Sequence, residues 1–498
     1  MREIRKLLVA NRGEIALRIM RSVKEMGIKT AAVFSDADRS SPFVRYADEA
    51  VHIGASPSSQ SYLSAEKIIA AAKKVKADAI HPGYGFLSEN DSFAEKVAQA
   101  GIVFIGPSAK SIRMMGNKLA AKEVAAKLNV PLVPGTSRAV TDTAQAMKEA
   151  ERIGYPVLLK AAAGGGGKGM RVVYDKSELP PQMERAQSEA LSAFGDNSVF
   201  IEKYIPSPRH IEIQILADSH GNVVHLFERE CSIQRRHQKL IEEAPSPVMT
   251  AALRKKMGDC ATAIAKACGY TNAGTVEFLT DEKLNFYFLE VNTRLQVEHP
   301  VTEMVTGIDL VKEQIRVAQG EKLGFIQEDL QIRGHAIELR VNAEDPFNDF
   351  LPNAGILKTY RKPSGAGVRV DDVYEEGMEI PIFYDPMIAK LITCGRHRDE
   401  AIVRMARAID EFRISGMRTT LPFGRFIMHH PEFRKGNLST RFIEEHFSPE
   451  KLAHSDNSEA EIASIIGALL MEQQQTVVNR KAETGISRWK QNRLNLEL

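Results

Sequence analysis

Polar side chains that could bind a metal and an anion follow directly on an apolar segment near the middle of the chain. Residues 286–289 are Phe-Tyr-Phe-Leu, and polar side chains then occupy every second position: Glu290, Asn292, Arg294, Gln296 and Glu298. Because side chains alternate between the two faces of an extended strand, we expect these five to share one face. Carboxylate and amide oxygens suit Mg²⁺, and a guanidinium suits a small planar oxyanion. Buried groups of this kind are costly unless ligands satisfy them, so the pattern favours an active site over a solvated strand face.

A glycine-rich loop is the second chemical feature. Residues 162–170 read Ala-Ala-Gly-Gly-Gly-Gly-Lys-Gly-Met and lie between strand patterns at 156–161 and 171–174. The glycine runs of dinucleotide-binding and P-loop proteins open a helix instead, and Lys168 is not followed by Ser or Thr. A loop that joins two strands can fold over phosphates as a flap, with its N–H groups as donors. The loop is therefore predicted to cover the phosphates of a nucleotide.

Protein kinases also place a glycine loop between strands, and His397-Arg398-Asp399 resembles their catalytic loop. No Asp-Phe-Gly occurs in the chain, and no Asn follows at the required spacing. Asp399 is better interpreted as the cap of a helix over 400–412. A kinase is therefore excluded.

Two kinds of sheet are predicted to position these groups. Strand and helix patterns alternate over the first hundred residues, which indicates a parallel sheet covered by helices. Only Gly13 occupies its first turn, so a nicotinamide-binding domain is not expected. Beyond residue 205 the strand patterns are longer and alternate as in an antiparallel sheet. Those patterns are at 210–217, 223–229, 274–279, 285–292, 335–342 and 356–360.

Composition excludes several classes of protein. The 498 residues are 43% hydrophobic and 26% charged, with a net charge of +2, which is typical of a globular enzyme and not of a nucleic-acid or membrane surface. The four cysteines show no zinc-binding spacing, and we interpret Cys231 as a packing residue. No apolar run approaches the ~20 residues of a membrane span. We expect a cytoplasmic protein that binds neither nucleic acid nor membrane.

The combination of motifs resembles the ATP-grasp enzymes, and among them the biotin carboxylases. A glycine flap between strands, Lys160 before it, Glu277 on one strand and Glu290-x-Asn292 on the next carry the resemblance, which extends to about His446. Supporting stretches are at 10–16, 81–90, 228–239, 290–304 and 384–391. The resemblance implies an α/β protein of the ATP-grasp fold. It would have an N-terminal parallel α/β domain, a small mobile lid domain with the glycine flap, and a C-terminal α+β domain with an antiparallel sheet.

The same resemblance implies domain boundaries. Residues 1–114 would form the N-terminal domain, 115–132 linking helices and 133–204 the lid. Residues 205–447 would form the C-terminal ATP-grasp and biotin carboxylase C-terminal domain. Residues 448–498 are an extension with an amphipathic helix pattern at 459–472. We expect this extension either to dock a partner protein, partly through 487–490, or to be a loose terminus.

Roles for individual residues also follow from the resemblance. It implies that Glu298 is the general base, that Arg340 faces the biotin ureido oxygen, and that Glu277, Glu290 and Asn292 bind Mg²⁺ or Mn²⁺. The bicarbonate site would comprise Lys239, Arg294, Gln296, Val297 and Glu298. Of these, Lys239 and Arg294 are also implied to be catalytic. The residues implied to bind ATP are Lys118, Lys160, Gly165, Gly166, Gly167, Lys168, Gly169, Met170, Glu202, Lys203, His210, Gln234 and His237.

The implied activity is MgATP-dependent carboxylation of biotin N1′ by bicarbonate through carboxyphosphate, as in acetyl-CoA carboxylase of fatty acid biosynthesis. No Ala-Met-Lys-Met motif occurs, so biotin should arrive on a separate biotin carboxyl carrier protein, and the second expected partner is a carboxyltransferase subunit. A homodimer is expected from the family. The alternatives are another ATP-grasp ligase and a regulatory subunit that binds nucleotide without catalysis. Outside the site, we interpret Asp371, Asp372, Glu375 and Glu376 as a solvated face.

Overall fold

The alternating patterns at the start of the chain form a parallel sheet, as predicted. The structure is a computed structural model that describes residues 3–136, 138–161, 170–194, 196–453 and 465–471. In the sheet the strand order is β3-β2-β1-β4-β5. The strands are β1 (Lys6–Val9), β2 (Lys29–Ser35), β3 (Glu49–Gly54), β4 (Ala79–His81) and β5 (Val103–Phe104). The helices that accompany and follow this sheet are α1 (Gly13–Glu25), α2 (Pro42–Tyr46), α3 (Ala65–Lys74), α4 (Asp91–Gln99), α5 (Ala109–Gly116) and α6 (Lys118–Lys127).

A small three-stranded antiparallel sheet follows, with strand order β7-β6-β8. Its elements are α7 (Thr143–Ile153), β6 (Val157–Ala161), β7 (Arg171–Val173), α8 (Leu179–Phe194) and β8 (Val199–Lys203). Val157, Leu159 and Val173 pack against the two helices in a core of their own. The predicted flap residues Gly165, Gly166, Gly167, Lys168 and Gly169 lie outside the described residues. The flanking elements are strands, as the pattern indicates, and not the helix that a P-loop requires.

The largest sheet has eight strands in the order β13-β12-β9-β10-β11-β14-β19-β18, and every neighbouring pair in it is antiparallel. Its strands are β9 (Arg209–Ala217), β10 (Val223–Arg235), β11 (Gln238–Ala244), β12 (Asn272–Thr280), β13 (Phe286–Asn292), β14 (His335–Asn342), β18 (Val368–Asp372) and β19 (Met387–Gly395). Smaller ladders contain β15 (Glu344–Asp345), β16 (Leu351–Pro352), β17 (Thr359–Arg361) and β20 (Arg413–Ser415). The helices are α9 (Ala251–Ala267), α10 (His299–Thr306), α11 (Leu310–Ala318), α12 (Arg398–Glu411), α13 (Leu421–His429), α14 (Pro431–Lys435) and α15 (Phe442–His446).

Three strands of the large sheet were not predicted, β11, β18 and β19. A two-residue turn joins β10 to β11, and both of its residues, Arg236 and His237, have positive φ angles of 49° and 65°. Such turns normally carry Asn or Gly, so the sequence gives no turn signal there. The predicted strand at 223–229 consequently extends to Arg235 and returns as β11.

Three aspartates outside the site, Asp371, Asp372 and Asp399, differ from what the sequence pattern predicts. The predicted cap Asp399 lies in the first turn of α12, and the cap is His397, whose ring accepts from the Glu400 N–H. Asp371 and Asp372 are buried, because Asp371 pairs with Arg369 and Asp372 accepts from Tyr360 and Lys362. The prediction of a solvated face is therefore wrong for these two aspartates, and it holds for the exposed Glu375 and Glu376.

The predicted fold class, an ATP-grasp arrangement of parallel and antiparallel sheets, is confirmed. The chain divides into two compact units, Met1–Phe447 and Ser448–Leu498. The second unit contains α16 (Pro449–Ala453) and a helical segment at 465–471 with exposed apolar side chains. The rest of the predicted helix at 459–472, and the stretch 487–490, lie outside the described residues. No helix among those described has the length and hydropathy of a membrane span.

Candidate active site

The polar residues that follow β13 converge, although the backbone does not stay extended. β13 ends at Asn292, and Glu298 immediately precedes α10, so the prediction of one continuous strand is wrong. The turn nevertheless brings the side chains together. Asn292 Nδ2 and Gln296 Nε2 donate to the same oxygen of Glu277, at 2.8 and 2.9 Å. Glu277 and Glu290 are direct cross-strand partners on β12 and β13.

Lys239, on the unpredicted strand β11, is the centre of the site. Its Nζ donates to Glu212 at 2.5 Å, to Glu298 at 2.7 Å and to Glu277 at 3.1 Å. The side chain is only 12% exposed, and burial alone would lower its pKa. The three carboxylates outweigh burial and hold the pKa of Lys239 well above its usual value. The ammonium is therefore a fixed positive charge that uses all three donors.

Arg229 and Glu212 complete the base of the site, and neither was predicted. Arg229 is fully buried on β10, and its guanidinium donates to Glu212, Gln214, Thr275, Gln296 and Thr302. Glu212 is likewise buried and accepts from Arg229 and from Lys239. The polar residues His210, Glu212 and Gln214 alternate along a buried strand, and this alternation in the sequence could have revealed them.

Glu298 lies between two cations. One oxygen accepts from Lys239, and the other lies 3.0 Å from Nη2 of Arg340 on β14. Burial would raise the pKa of Glu298, but Lys239, Arg340 and Arg229 together hold it well below its usual range. Glu298 is therefore an ionised carboxylate at neutral pH.

Arg340 is shared with a second carboxylate that was not predicted. Its Nε donates to Glu242 at 2.7 Å. Burial raises the pKa of Glu242 to about 7, and the Arg340 charge only partly opposes this. Glu338, which pairs with Glu242 across β11 and β14, has no hydrogen-bond partner for either carboxyl oxygen within the described residues. Burial also raises the pKa of Glu338.

Arg294 is held by the N-terminal region. Its Nε donates to Glu89 at 2.9 Å, and its Nη2 donates to Asn292 Oδ1 at 3.2 Å. Glu89 also accepts from the Thr293 N–H at 3.0 Å. Glu89 follows the Gly83–Gly85 turn and was not predicted as a site residue. It connects the parallel sheet to the loop that carries Arg294.

Four of the implied nucleotide ligands lie at the lid and at the edge of the site. Lys160 on β6 and Lys122 on α6 both pair with Glu202 on β8, and Lys122 was not predicted. Lys203 donates from its Nζ to the carbonyls of Gly154 and Tyr155, both at 2.9 Å. Its side chain is therefore occupied within the lid. Lys118 lies 3.1 Å from Glu290 and remains 59% exposed.

The remaining implied ligands lie around β9 and β10. His210 Nε2 is 3.1 Å from Glu277. Gln234 is buried and pairs in register with Lys239, whereas His237 is exposed in the β10–β11 turn. Met170, directly before β7, is partly exposed.

The donor set suits a hard divalent cation. Glu277 and Glu290 lie side by side and offer carboxylate oxygens, and Asn292 adds an amide oxygen, which matches the preference of Mg²⁺ or Mn²⁺. Lys118 is the present partner of Glu290 and is exposed enough to move. These three residues are therefore suited to bind the divalent cation that accompanies a nucleoside triphosphate.

Family comparisons cover nearly all of the first unit. The biotin carboxylase N-terminal domain matches residues 3–112, the carbamoyl-phosphate synthase L chain ATP-binding domain matches 117–326, and the biotin carboxylase C-terminal domain matches 338–445. Biotin carboxylase 1 of Bacillus subtilis is 53% identical over 442 residues, which is 89% of this chain and 98% of the relative.

Solved structures give the same result. A biotin carboxylase complex from Campylobacter jejuni has a TM-score of 0.85 and 48% identity over 89% of this chain and 99% of that chain. The biotin carboxylase domain dimer of Hydrogenobacter thermophilus 2-oxoglutarate carboxylase, solved with MgADP, ADP and bicarbonate, has a TM-score of 0.85. It is 49% identical over 90% of this chain and 98% of that chain.

Proposed function

This chain belongs to the biotin carboxylase family, and on that premise we propose which of its residues perform each part of the reaction. It is an ATP-dependent ligase that uses MgATP and bicarbonate to carboxylate the N1′ atom of biotin through carboxyphosphate, with formation of a carbon–nitrogen bond. The observation that carries the assignment of roles is the position of Glu298 between Lys239 and Arg340.

The nucleotide side of the site comprises the lid and the ends of β12 and β13. Lys118, Lys160 and the loop Gly165, Gly166, Gly167, Lys168, Gly169 and Met170 contact the phosphates. Glu202 and Lys203 lie at the adenine, where the Lys203 backbone makes the contact because its side chain is held within the lid. His210, Gln234 and His237 line the ribose and phosphate side. Glu277, Glu290 and Asn292 would hold Mg²⁺, which would neutralise charge on the transferred phosphoryl group.

Bicarbonate binds between Arg294 and Lys239, with Gln296 and the Val297 backbone as further contacts. Both cations now pair with carboxylates, Arg294 with Glu89 and Lys239 with Glu298, so an incoming oxyanion replaces or shares an existing partner. The binding charge is thus already in place and needs no reorganisation of the core.

Glu298 removes the bicarbonate proton as the oxyanion attacks the γ-phosphate. A carboxylate whose pKa lies well below its usual range is a weak base, because a good base has a pKa near the working pH. When bicarbonate shares Lys239 and biotin shares Arg340, two of the three positive charges that lower the pKa of Glu298 act on it less strongly, while Arg229 stays in place. Substrate binding therefore raises the basicity of Glu298 at the moment when it is needed.

Arg340 stabilises the ureido oxyanion of biotin. The phosphate released from carboxyphosphate takes the N1′ proton, and negative charge then develops on the ureido oxygen. A guanidinium gives that oxygen a charge-assisted hydrogen bond. Arg340 can do so while it keeps Glu242 as an anchor through Nε.

The assembly that we propose is the one that the family relationship supports. Biotin arrives on a separate carrier protein, a carboxyltransferase subunit uses the product, and the chain forms a homodimer, as the Hydrogenobacter domain does. The setting is the cytoplasm. The domain boundaries at 114, 132, 204 and 447 are part of this proposal, with residues 448–498 as the partner-docking segment.

The docking role of the extension has a direct test. Deletion of the residues after Ser448 should abolish co-purification with the carboxyltransferase, whereas ATP turnover should stay intact. Unchanged co-purification would exclude that role.

The test of the catalytic roles is ADP release with MgATP and bicarbonate, with and without saturating free biotin. We expect strong stimulation by biotin in the wild type and a loss of about 10²–10⁴-fold in Glu298→Gln. Glu411→Gln, in an exposed ion pair on α12, is the matched control and should behave as the wild type. ATP turnover that is indifferent to biotin would favour another ATP-grasp ligase. ATP binding without turnover would favour a regulatory subunit.

A further inference from the structure

Lys390 is a fully buried lysine that the reaction described above does not use. It lies on β19, directly across from Arg340 on β14 and from Asp371 on β18. A buried ammonium needs partners that satisfy all of its donors, because an unpaired charge in the interior is very costly. The partners of the Lys390 ammonium therefore indicate which part of the structure this residue keeps in position.

The nearest partner lies in the turn at 293–298. Lys390 Nζ donates to the backbone carbonyl of Val297 at 2.8 Å. The preceding carbonyl, of Gln296, is also occupied, since His299 Nδ1 lies 2.8 Å from it and the His299 N–H lies 3.4 Å from it. The amide N–H groups of Val297 and Glu298 have no hydrogen-bond partner within the described residues. The carbonyls are thus tied down while two N–H donors stay free beside the general base.

Two carboxylates fix the ammonium in this place. Glu14 Oε1 on α1 lies 3.3 Å from Lys390 Nζ, and Asp371 Oδ2 lies 3.9 Å from it. Glu14 in turn accepts from the Tyr84 hydroxyl. Lys390 is therefore held on one side by the N-terminal helix and on the other by β18, and its donor to Val297 has a fixed direction.

We propose that Lys390 is a positioning residue for the bicarbonate step. By holding the Val297 carbonyl toward the sheet, it fixes the peptide between Val297 and Glu298, so that this turn presents N–H donors to an oxyanion. Without that hold, the peptide can rotate and present a carbonyl oxygen, which repels the anion and displaces the Glu298 side chain. This inference rests on the proposed roles of Val297 and Glu298.

The test is Lys390→Met, which keeps the unbranched apolar stem of the side chain and removes its charged end. We expect the KM for bicarbonate to rise and kcat to fall by a combined factor of about 10–100, the effect of misplacing a reacting group by about 1 Å. The KM for ATP should stay within about twofold, since Lys390 contacts no predicted nucleotide ligand. A purely structural role would lower the amount of active enzyme without separating the two KM values.

Two further variants separate positioning from folding. Lys390→Met/Glu14→Gln removes the negative charge left unpaired, so it should recover folded protein but not the bicarbonate KM. Arg254→Met removes a cation from the buried Glu228, whose hydrogen bonds come from Ser246 and Arg254 and not from the 293–298 turn, and it should change stability alone.

Wild-type kinetics in Lys390→Met would overturn the inference, as would KM values for ATP and bicarbonate that rise together. Recovery of the bicarbonate KM in the double variant would overturn it as well. If the wild type shows no biotin-stimulated turnover, the proposed function is overturned and this inference with it. The ADP-release assay with and without biotin detects that outcome before any variant is made.

Discussion

Glu242 and Glu243 are adjacent on β11, point to opposite faces of the large sheet, and have opposite pKa shifts. Burial raises the pKa of Glu242 to about 7. Glu243 is equally buried, but His335 and Arg398 outweigh burial and lower its pKa to about 2. We call the face with Glu242, Glu338 and Arg340 the site face, and the face with Glu243, His335 and Arg398 the helix face.

The two pKa values shift in opposite directions because the two faces differ in the number of cations per carboxylate. On the helix face, Glu243 has its own partners, with His335 at 2.6 Å and Arg398 at 2.7 and 3.0 Å. On the site face, Arg340 serves both Glu242 and Glu298, and Glu338 has no partner among the described residues. On the helix face each charged group has its own partner, and these pairs stabilise the fold. On the site face the cations are fewer than the carboxylates, so the shared Arg340 is available to a substrate.

Of the changes that separate the two faces, the largest effect should come from the shared cation of the site face. Arg340→Met removes the group that we propose to face the ureido oxygen, and we expect biotin-stimulated ADP release to fall by about 10²–10³-fold, as for loss of one preorganised donor. ADP release without biotin should change far less, and the two rates together check the assignment. Equal losses with and without biotin would contradict a role specific to the biotin step.

Breaking the helix face should cost stability and not activity. The pKa of Glu243 is lowered from 4.5 to about 2, which corresponds to about 3 kcal/mol of stability at neutral pH. We therefore expect Glu243→Gln to lose about 3 kcal/mol in urea unfolding at pH 7, with kcat per folded molecule unchanged. Because a lowered pKa contributes stability only above the unfolded value, the deficit should shrink as the pH falls from about 4.5 toward 2. A constant deficit would contradict this origin.

Glu242→Gln should show the opposite pH dependence. Because the folded pKa, about 7, lies above the unfolded 4.5, the group contributes stability that is present below pH 4.5 and lost as the pH rises through 7. Gln does not ionise, so the stability of the variant relative to wild type should improve between pH 5 and pH 8, by at most about 3 kcal/mol. Unfolding midpoints at four pH values measure this. Parallel curves for the two proteins would show that Glu242 keeps an ordinary pKa.

The smallest effect is expected at the surface of α12. Arg407 and Glu411 form an exposed i,i+4 pair at 2.7 Å. Arg407→Gln should cost about 0.3–0.5 kcal/mol, and less at high salt, because water screens exposed pairs. A cost as large as that of Glu243→Gln would mean that burial is not what separates the two kinds of pair.

Much of the site could be predicted because local patterns carried it. The alternation after residue 290 indicated side chains that the structure does bring together, since Asn292 and Gln296 donate to Glu277 and Glu298 accepts from Lys239. Glu212, Arg229, Glu242 and Lys390 were missed because each lies on a different strand and becomes a partner only when the sheet forms. β11 was missed because its turn residues, Arg236 and His237, adopt positive φ without glycine or asparagine. The burial of Asp371 likewise depends on Arg369 and Lys390, which no local pattern connects to it.

The pairing of β11 with β14 also has a consequence for how the protein is made. The two strands are separated by about ninety residues of chain, and the match to the ATP-binding domain ends at residue 326, before β14 begins. Until residues 335–342 leave the ribosome, β11 is an open edge whose unpaired N–H and C=O groups can bind another nascent chain. Contacts that distant close slowly, so the interval before β14 arrives is the period of greatest aggregation risk. A chain that stops near residue 330 would keep every implied nucleotide ligand and still be a poor candidate for isolation.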